Sequence, residues 1–234
     1  MAYFDGNIQV VTSGLVGYWD GANTRSLTSG STTWRDISGN NNNGTNANIF
    51  SSEFGGGISF GGSSEVTLPN SSVYRDINDY TYTVAFKLNT IPPSGGTYTL
   101  LSIGGSLADQ ALMVCNSYVV SNNTFLAISY NSTPTAQFIS SNFPINTSSV
   151  FVVSQVRNNA SNLLQFYVNG SNMVSESISG TAGYGGTSYS RIGGRNALQY
   201  FSGSIYYCSI YNRALNSNEI VQNYNALKSR FGLT

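Results

Sequence analysis

The sequence predicts an all-β fold, with two antiparallel sheets stacked face to face and one amphipathic helix at the C-terminus. Three observations carry this. Apolar and polar residues alternate with a period of two along about a dozen short segments, the pattern of strands buried on one face. Gly, Asn and Ser cluster between those segments and supply turns. Aromatics make up 13% of the chain, with 16 Tyr and 12 Phe, residues that suit a pleated surface. With 234 residues and 40% hydrophobic composition, the chain can bury one large core unaided. So many strands would overload a single twisted sheet, so two layers follow.

Residues 1–13 precede the first patterned segment; they either pair as an edge strand or form an arm that docks the domain on a partner. The domain proper covers 14–234. Its strands are predicted at 15–19, 57–60, 65–68, 80–88, 98–103, 111–119, 125–130, 136–139, 150–156, 164–168, 190–192 and 203–211. In 80–88, Tyr80, Tyr82, Val84, Phe86 and Leu88 share one face, while Thr81, Thr83, Ala85 and Lys87 share the other. The richest loops are 38–48, 91–96 and 179–188. The helix is predicted over 216–231. Asn216 is its N-cap, and Glu219 at N3 completes a capping box. Leu215 can staple to Ile220, and Ile220, Tyr224, Leu227 and Phe231 form one apolar stripe that packs on the sandwich. Lys228 and Arg230 complement the dipole of the last turn, and Gly232 can end the helix in the left-handed conformation.

Charge is scarce. Charged residues are 9% of the chain, against roughly 25% in ordinary soluble proteins, and ten basic balance ten acidic residues. Without a Lys/Arg cluster there is no face for nucleic acid or an anionic membrane. Near-zero charge gives little colloidal repulsion and suits a protein packed into an assembly. No apolar run reaches the ~18 residues of a membrane span. The start, Met1 to Asn7, lacks the basic and apolar regions of a secretory leader, so cytoplasmic synthesis is expected. Asn-x-Ser/Thr triplets such as Asn70-Ser71-Ser72 and Asn131-Ser132-Thr133 are expected by chance in so Asn- and Ser-rich a chain.

The chain has no histidine, which removes Ser-His-Asp and Cys-His catalysis and His-based metal sites. A retaining glycosidase would need two carboxyl groups ~5–5.5 Å apart. The acids are Asp5, Asp20, Asp36, Glu53, Glu65, Asp76, Asp79, Asp109, Glu176 and Glu219, and none repeat on one strand face. Asp76 and Asp79, the close pair, read as a turn closure. Gly55-Gly56-Gly57 and Gly193-Gly194 lack the Lys-Ser/Thr of a phosphate loop and read as tight turns. No catalytic residue is expected. Cys115 and Cys208 lie in apolar surroundings and read as buried free thiols. A bridge between them would close a loop of about 90 residues and contribute roughly 4–5 kcal/mol in the chain-entropy model; spacing alone permits it.

Several segments resemble, in order, a known family. They begin with Gly14-Leu15-Val16-Gly17-Tyr18-Trp19-Asp20 and the run from Trp34-Arg35-Asp36-Ile37-Ser38-Gly39-Asn40 to Gly44-Thr45. Ile58-Ser59-Phe60-Gly61-Gly62, Phe166-Tyr167-Val168-Asn169-Gly170 and Arg191-Ile192-Gly193-Gly194 follow. Phe201-Ser202-Gly203-Ser204-Ile205-Tyr206-Tyr207 then leads into Ile210-Tyr211-Asn212-Arg213-Ala214-Leu215 and Glu219-Ile220. The series is similar to the laminin-G-like jelly rolls of the concanavalin A-like lectin/glucanase superfamily, over about residues 14–232. The closing segment and the terminal Asn225-Ala226-Leu227-Lys228-Ser229-Arg230-Phe231-Gly232-Leu233 look especially like versions in virion proteins of tailed, cyanophage-like bacteriophages.

The resemblance implies a non-enzymatic virion protein, made without a leader in the host cytoplasm. It would be a capsid decoration or a tail or fibre component that adheres to host glycans. The absence of heptads or fibrous repeats tilts this slightly towards decoration. Its partners would be other virion proteins, host surface glycans and, in a homo-oligomer, further copies of itself. Two alternatives stand beside it: a cellular carbohydrate-binding module, and a glycoside hydrolase with carboxylates brought together only in space.

Family members often hold calcium, and Asp36, Ser38, Asn40 and Asn42 place alternating oxygen side chains ahead of Gly44. One carboxylate would bind the ion weakly. The alternative is a loop closed by Asp36 on backbone N–H groups, with Gly39 and Gly44 at positive φ. Trp19 and Trp34 either stack on sugars or fill the core. Tyr184, Tyr189 and Tyr200 are candidates for a partner-contact patch, with Tyr74 and Tyr118 behind them.

Overall fold

The structure, a computed structural model, describes residues 4–5, 8–45, 49–75, 77–93, 95–104, 111–116, 124–129, 137–140, 143–178, 190–195 and 199–234. Two eight-stranded antiparallel sheets form a sandwich. The rear sheet runs Ser171–Ser177, Leu163–Val168, Val150–Asn158, Tyr80–Leu88, Ser202–Tyr211, Gly57–Gly61, Ile49–Ser51. Gly57–Gly61 pairs with the first half of Ser202–Tyr211, and Leu15–Asp20 takes the second half, with Trp19 opposite Cys208. The front sheet runs Gln137–Ser140, Thr124–Ser129, Ala111–Asn116, Thr97–Ile103, Arg191–Ile192, Val66–Thr67, Gly44–Thr45, Thr33–Trp34.

The main core lies between the sheets. Tyr80, Tyr82, Val84, Phe86, Phe151 and Val153 from the rear meet Trp34, Val66, Leu100, Ile103 and Ile192 from the front in one buried cluster. Each predicted strand is represented among the described residues, several with ends shifted by one or two residues; the predicted strand residues 117–119, 130 and 136 lie outside them. The structure adds short pairings at Thr33–Trp34, Gly44–Thr45 and Ile49–Ser51, which are too brief to leave an alternating pattern. It also adds the largely exposed edge strand Ser171–Ser177. That strand joins its neighbour through Asn169-Gly170, with φ of 49° and 77° and Val168 opposite Ser171, a two-residue hairpin turn.

The rear sheet is not half-exposed as the alternation predicts. Its second face is covered by the C-terminal helix, Ser217–Lys228, and the 3₁₀ turn Ser229–Phe231. Tyr224, Leu227 and Phe231 pack there with Tyr18, Ala85, Val150, Val152 and Tyr207, and Ile220 and Leu215 with Val156, Tyr167 and Tyr211. Thr81 and Thr83 are therefore buried and must find internal partners. The Thr81 hydroxyl donates to the Arg213 carbonyl and accepts from Leu215 N, while Thr83 Oγ1 lies 2.8 Å from Ser154 Oγ. A sheet covered on both faces tolerates this because each hydroxyl is satisfied.

The helix starts as predicted. Asn216 Oδ1 accepts from Glu219 N at 3.1 Å, and Glu219 Oε2 accepts from Asn216 N at 2.9 Å. The same carboxylate takes a two-pronged ion pair from Arg213 at 2.7 and 2.9 Å. Gly232 is left-handed at φ 65°. Arg230 departs from expectation: it does not face the helix dipole but reaches across to Asp20 and to the carbonyls of Phe54 and Gly56. At the N-terminus, Phe4–Asp5 and Ile8–Gln9 pair with each other rather than with either sandwich sheet. Gln222 and Asn223 of the helix hold the following chain through Gln9 O and Val11 N, at 2.7 and 2.8 Å.

Candidate functional site

One edge of the sandwich is closed by the chain that leaves the rear sheet at Asp20 and enters the front sheet at Thr33. Trp34 points into the core, Arg35 outwards and Asp36 inwards again. The Asp36 carboxylate gathers the loop that follows. Oδ1 accepts from Tyr18 N at 2.9 Å and Ser38 N at 2.8 Å; Oδ2 accepts from Ser38 Oγ and Asn42 N, both at 2.9 Å. Ile37 N donates to Tyr18 O, and Asn42 Nδ2 donates to Val16 O, so the loop also covers the open edge of Leu15–Asp20.

This is the loop reading of Asp36, Ser38, Asn40 and Asn42. Both Asp36 oxygens already hold protein donors, and Ser38 Oγ accepts from the Asn40 amide. A calcium ion would have to displace backbone N–H groups, so the four side chains as placed do not form a cation cage. Among the described residues no cluster of three or more acidic, Cys or His side chains has metal-holding geometry. Gly39 has positive φ, 101°, as expected. Gly44 does not; it is a strand residue, and a Cβ there would lie 2.5 Å from Val66 Cγ1. Asn41 takes the second left-handed position, at φ 58°.

Beside this loop is an open cleft of about 410 Å³ lined by Arg25, Arg35, Asp36, Ile37, Gly39, Asn41 and Asn43. Arg25 and Arg35 are exposed, and among the described residues their guanidinium groups enter no hydrogen bond or ion pair. Asn43 Oδ1 accepts from Asp36 N at 2.9 Å. The cleft continues a polar row on the outer face of the front sheet. Thr33 is opposite Thr45, Thr45 opposite Thr67, Thr67 opposite Arg191, and Arg191 opposite Ser102. Extending that register by two residues sets Arg35 against Asn43. Arg191, 8% exposed, gives Nε to Glu65 Oε1 at 2.7 Å, and Ser102 Oγ donates to Gly194 O.

The other sequence candidates scatter. Trp19 and Trp34 are wholly buried in the core and offer no sugar platform. Tyr74 is buried too, its hydroxyl donating to Pro69 O, so it forms no surface contact. Tyr200 is partly exposed and does not line the cleft. Tyr118, Tyr184 and Tyr189 lie outside the described residues, as do Asp76 and the side chain of Cys115. Cys208 is a free buried thiol, pushed up in pKa by that burial. Asp79 accepts from Asn159 N at 2.7 Å, a structural role across two strands. Sequence reasoning missed Arg25 and Arg35. The alternation Trp34-Arg35-Asp36 placed Arg35 outwards, but no local signal brings Arg25 beside it.

A two-sheet jelly roll with one helix-backed sheet and a polar row across the other is a lectin-type sandwich. A family model described as the Concanavalin A-like lectin/glucanases superfamily matches residues 60–221, and this chain belongs to that superfamily. Solved structures share the fold at low identity. The binding domain of Paraclostridial Mosquitocidal Protein 1 superposes with a TM-score of 0.75 and 14% identity, over 94% of this chain and 55% of that one. Domain 4 of the extracellular arabinanase AbnA from Geobacillus stearothermophilus, in complex with arabinotriose, gives 0.68 and 16%, over 91% and 98%. A Ruminococcus gnavus sialidase carbohydrate-binding module bound to sialyllactose gives 0.59 and 15%, over 70% and 94%. No curated protein sequence matches.

Proposed function

We propose that this chain is a non-enzymatic, glycan-binding sandwich, displayed on the virion of a tailed phage as a head decoration or as a tail or fibre component. The edge cleft carries the binding part of this reading. Arg25, Arg35 and Asn41 line it, and no described residue bonds their side chains, whereas Asp36 beside them is fully engaged in holding the loop. Support comes from fold relatives whose structures hold arabinotriose or sialyllactose. The non-enzymatic part is supported by the carboxylates. Asp20, Asp36, Glu53, Glu65, Asp79 and Glu219 each hold an internal partner rather than face one another.

The virion part rests on the resemblance of residues 211–220 and on a net charge of zero, which suits a protein held in a dense assembly. Immunogold electron microscopy on particles from cultures carrying the gene tests it. Label on heads means decoration, label on tails means an adhesion module, and unlabelled particles overturn the virion reading. A second reading is favoured by the arabinanase and sialidase matches: a cellular carbohydrate-binding module attached to a secreted protein. It predicts the chain in culture medium, free of particles. A glycan array probed with the whole chain tests binding in either case, and failure to bind any saccharide would remove the lectin role.

A further inference from the structure

We infer that the edge cleft selects saccharides bearing a carboxylate, a uronate or a sialate, held between Arg25 and Arg35. The inference rests on the glycan-binding reading above and adds the chemistry of the ligand.

The lining residues argue for an anion. None is aromatic, and Ile37 is the one aliphatic side chain among them. A neutral sugar is commonly held by stacking an apolar face on an aromatic ring, supplemented by hydrogen bonds that merely replace those with water. Here the stacking surface is missing. What the cleft offers is donors. Each guanidinium presents a planar fork that matches a carboxylate, and charge-assisted hydrogen bonds are roughly twice as strong as neutral ones. Asn43 has its carbonyl oxygen occupied by Asp36 N, which leaves its NH₂ to donate.

The local charge balance agrees. Arg25 and Arg35 contribute two positive charges and Asp36 one negative, and the Asp36 oxygens face four protein donors rather than the guanidiniums. Elsewhere, four cations of this protein are matched with carboxylates: Lys87 with Glu53, Arg191 with Glu65, Arg213 with Glu219 and Arg230 with Asp20. Arg25 and Arg35 form no such pair with a described residue, and they stand together on one cleft. A volume of about 410 Å³ lies at the small end of ligand sites and suits the end of a glycan rather than a long stretch of chain. Two charges in one small cleft do not track a phosphate backbone, so nucleic acid is not the occupant.

The experiment is calorimetric titration of the whole chain with 3′-sialyllactose and a galacturonate oligosaccharide, against lactose and inorganic phosphate. One or both acidic sugars should bind, and the two arms separate sialate from uronate. Arg25→Ala and Arg35→Ala should each weaken binding about 10- to 100-fold, the loss expected for a hydrogen bond to a charged group. Both side chains are exposed, so the variants should keep the parent's thermal unfolding midpoint. Arg35→Lys should recover part of the affinity, and added salt should weaken it. Lactose binding as tightly as sialyllactose, indifferent to both substitutions, would overturn charge selection and leave the glycan-binding reading standing. Phosphate binding equal to that of the acidic sugars would reduce the cleft to a general anion site. Binding to no saccharide here or on the array would overturn both.

Discussion

Arg230 and Asp20, 210 residues apart in sequence, meet at 2.7 Å with their side chains 3% and 0% exposed. The guanidinium also donates to the carbonyls of Phe54 and Gly56, so one side chain fastens the C-terminal turn to the end of the Leu15–Asp20 strand and to the 53–57 turn. Burial pushes the Asp20 carboxyl up and Arg230 opposes it. Replacing Arg230 with Met leaves that carboxylate without its buried partner and should cost about 3–5 kcal/mol in urea unfolding. Adding Asp20→Asn should recover part of the loss. Additive single-variant losses would show that the two do not act as a pair.

Asp36 is expected to stabilise by hydrogen bonding rather than by metal. Asp36→Ala strands the N–H groups of Tyr18, Ser38 and Asn42 and should cost about 2–4 kcal/mol, with Asp36→Asn intermediate. The thermal midpoint should be the same in calcium and in chelator. A midpoint that rises with calcium, and ceases to do so in Asp36→Ala, would assign the ion to Asp36, Ser38, Asn40 and Asn42.

Acid should loosen the helix. Arg213 holds the Glu219 carboxyl below its ordinary value of 4.5, and the Tyr206 hydroxyl, then Lys87, do the same for Glu53. A folded-state pKa below the unfolded one gives stability that is complete above about 4.5 and is lost as pH falls through the depressed value. Asp20 runs the other way, because its raised carboxyl favours protonation in the folded state. Unfolding free energy measured against pH should therefore fall on the acid side. Glu219→Gln should be less stable at neutral pH and show a shallower fall. An unchanged slope would mean that the Arg213–Glu219 pair is not the source.

The Cys208 thiol should be inert in the folded protein. It is fully buried, and burial holds it well above the ordinary thiol value. In a Cys115→Ser variant, a thiol reagent at neutral pH should react no faster than the protein unfolds. Immediate labelling would place Cys208 within reach of solvent.

Much of the architecture was legible in local sequence. The capping box of Asn216 and Glu219, the left-handed Gly232 and the inward row from Tyr80 to Leu88 depend on neighbours a few residues away, and all are found. The strand Ser171–Ser177, which follows the Asn169-Gly170 turn, was not read in the sequence, because it is a polar edge strand with no alternating apolar face to reveal it. Of the candidate site, the self-closing Asp36 loop could be read from Asp36, Ser38 and Gly39. The cleft could not, because it requires Arg25 and Arg35 to arrive together from either side of the turn into Thr33–Trp34.

By itself, then, the sequence determined the two-sheet sandwich, the helix and its ends, and the absence of histidine chemistry. These follow from periodicity, capping and composition, which are local or additive properties. Only the tertiary structure decided that the rear sheet is buried on both faces, that Arg230 serves Asp20 rather than its own helix, and that two arginines share one cleft. Each of these depends on which distant segments come to lie together, and a pairing of that kind has no period or motif along the chain.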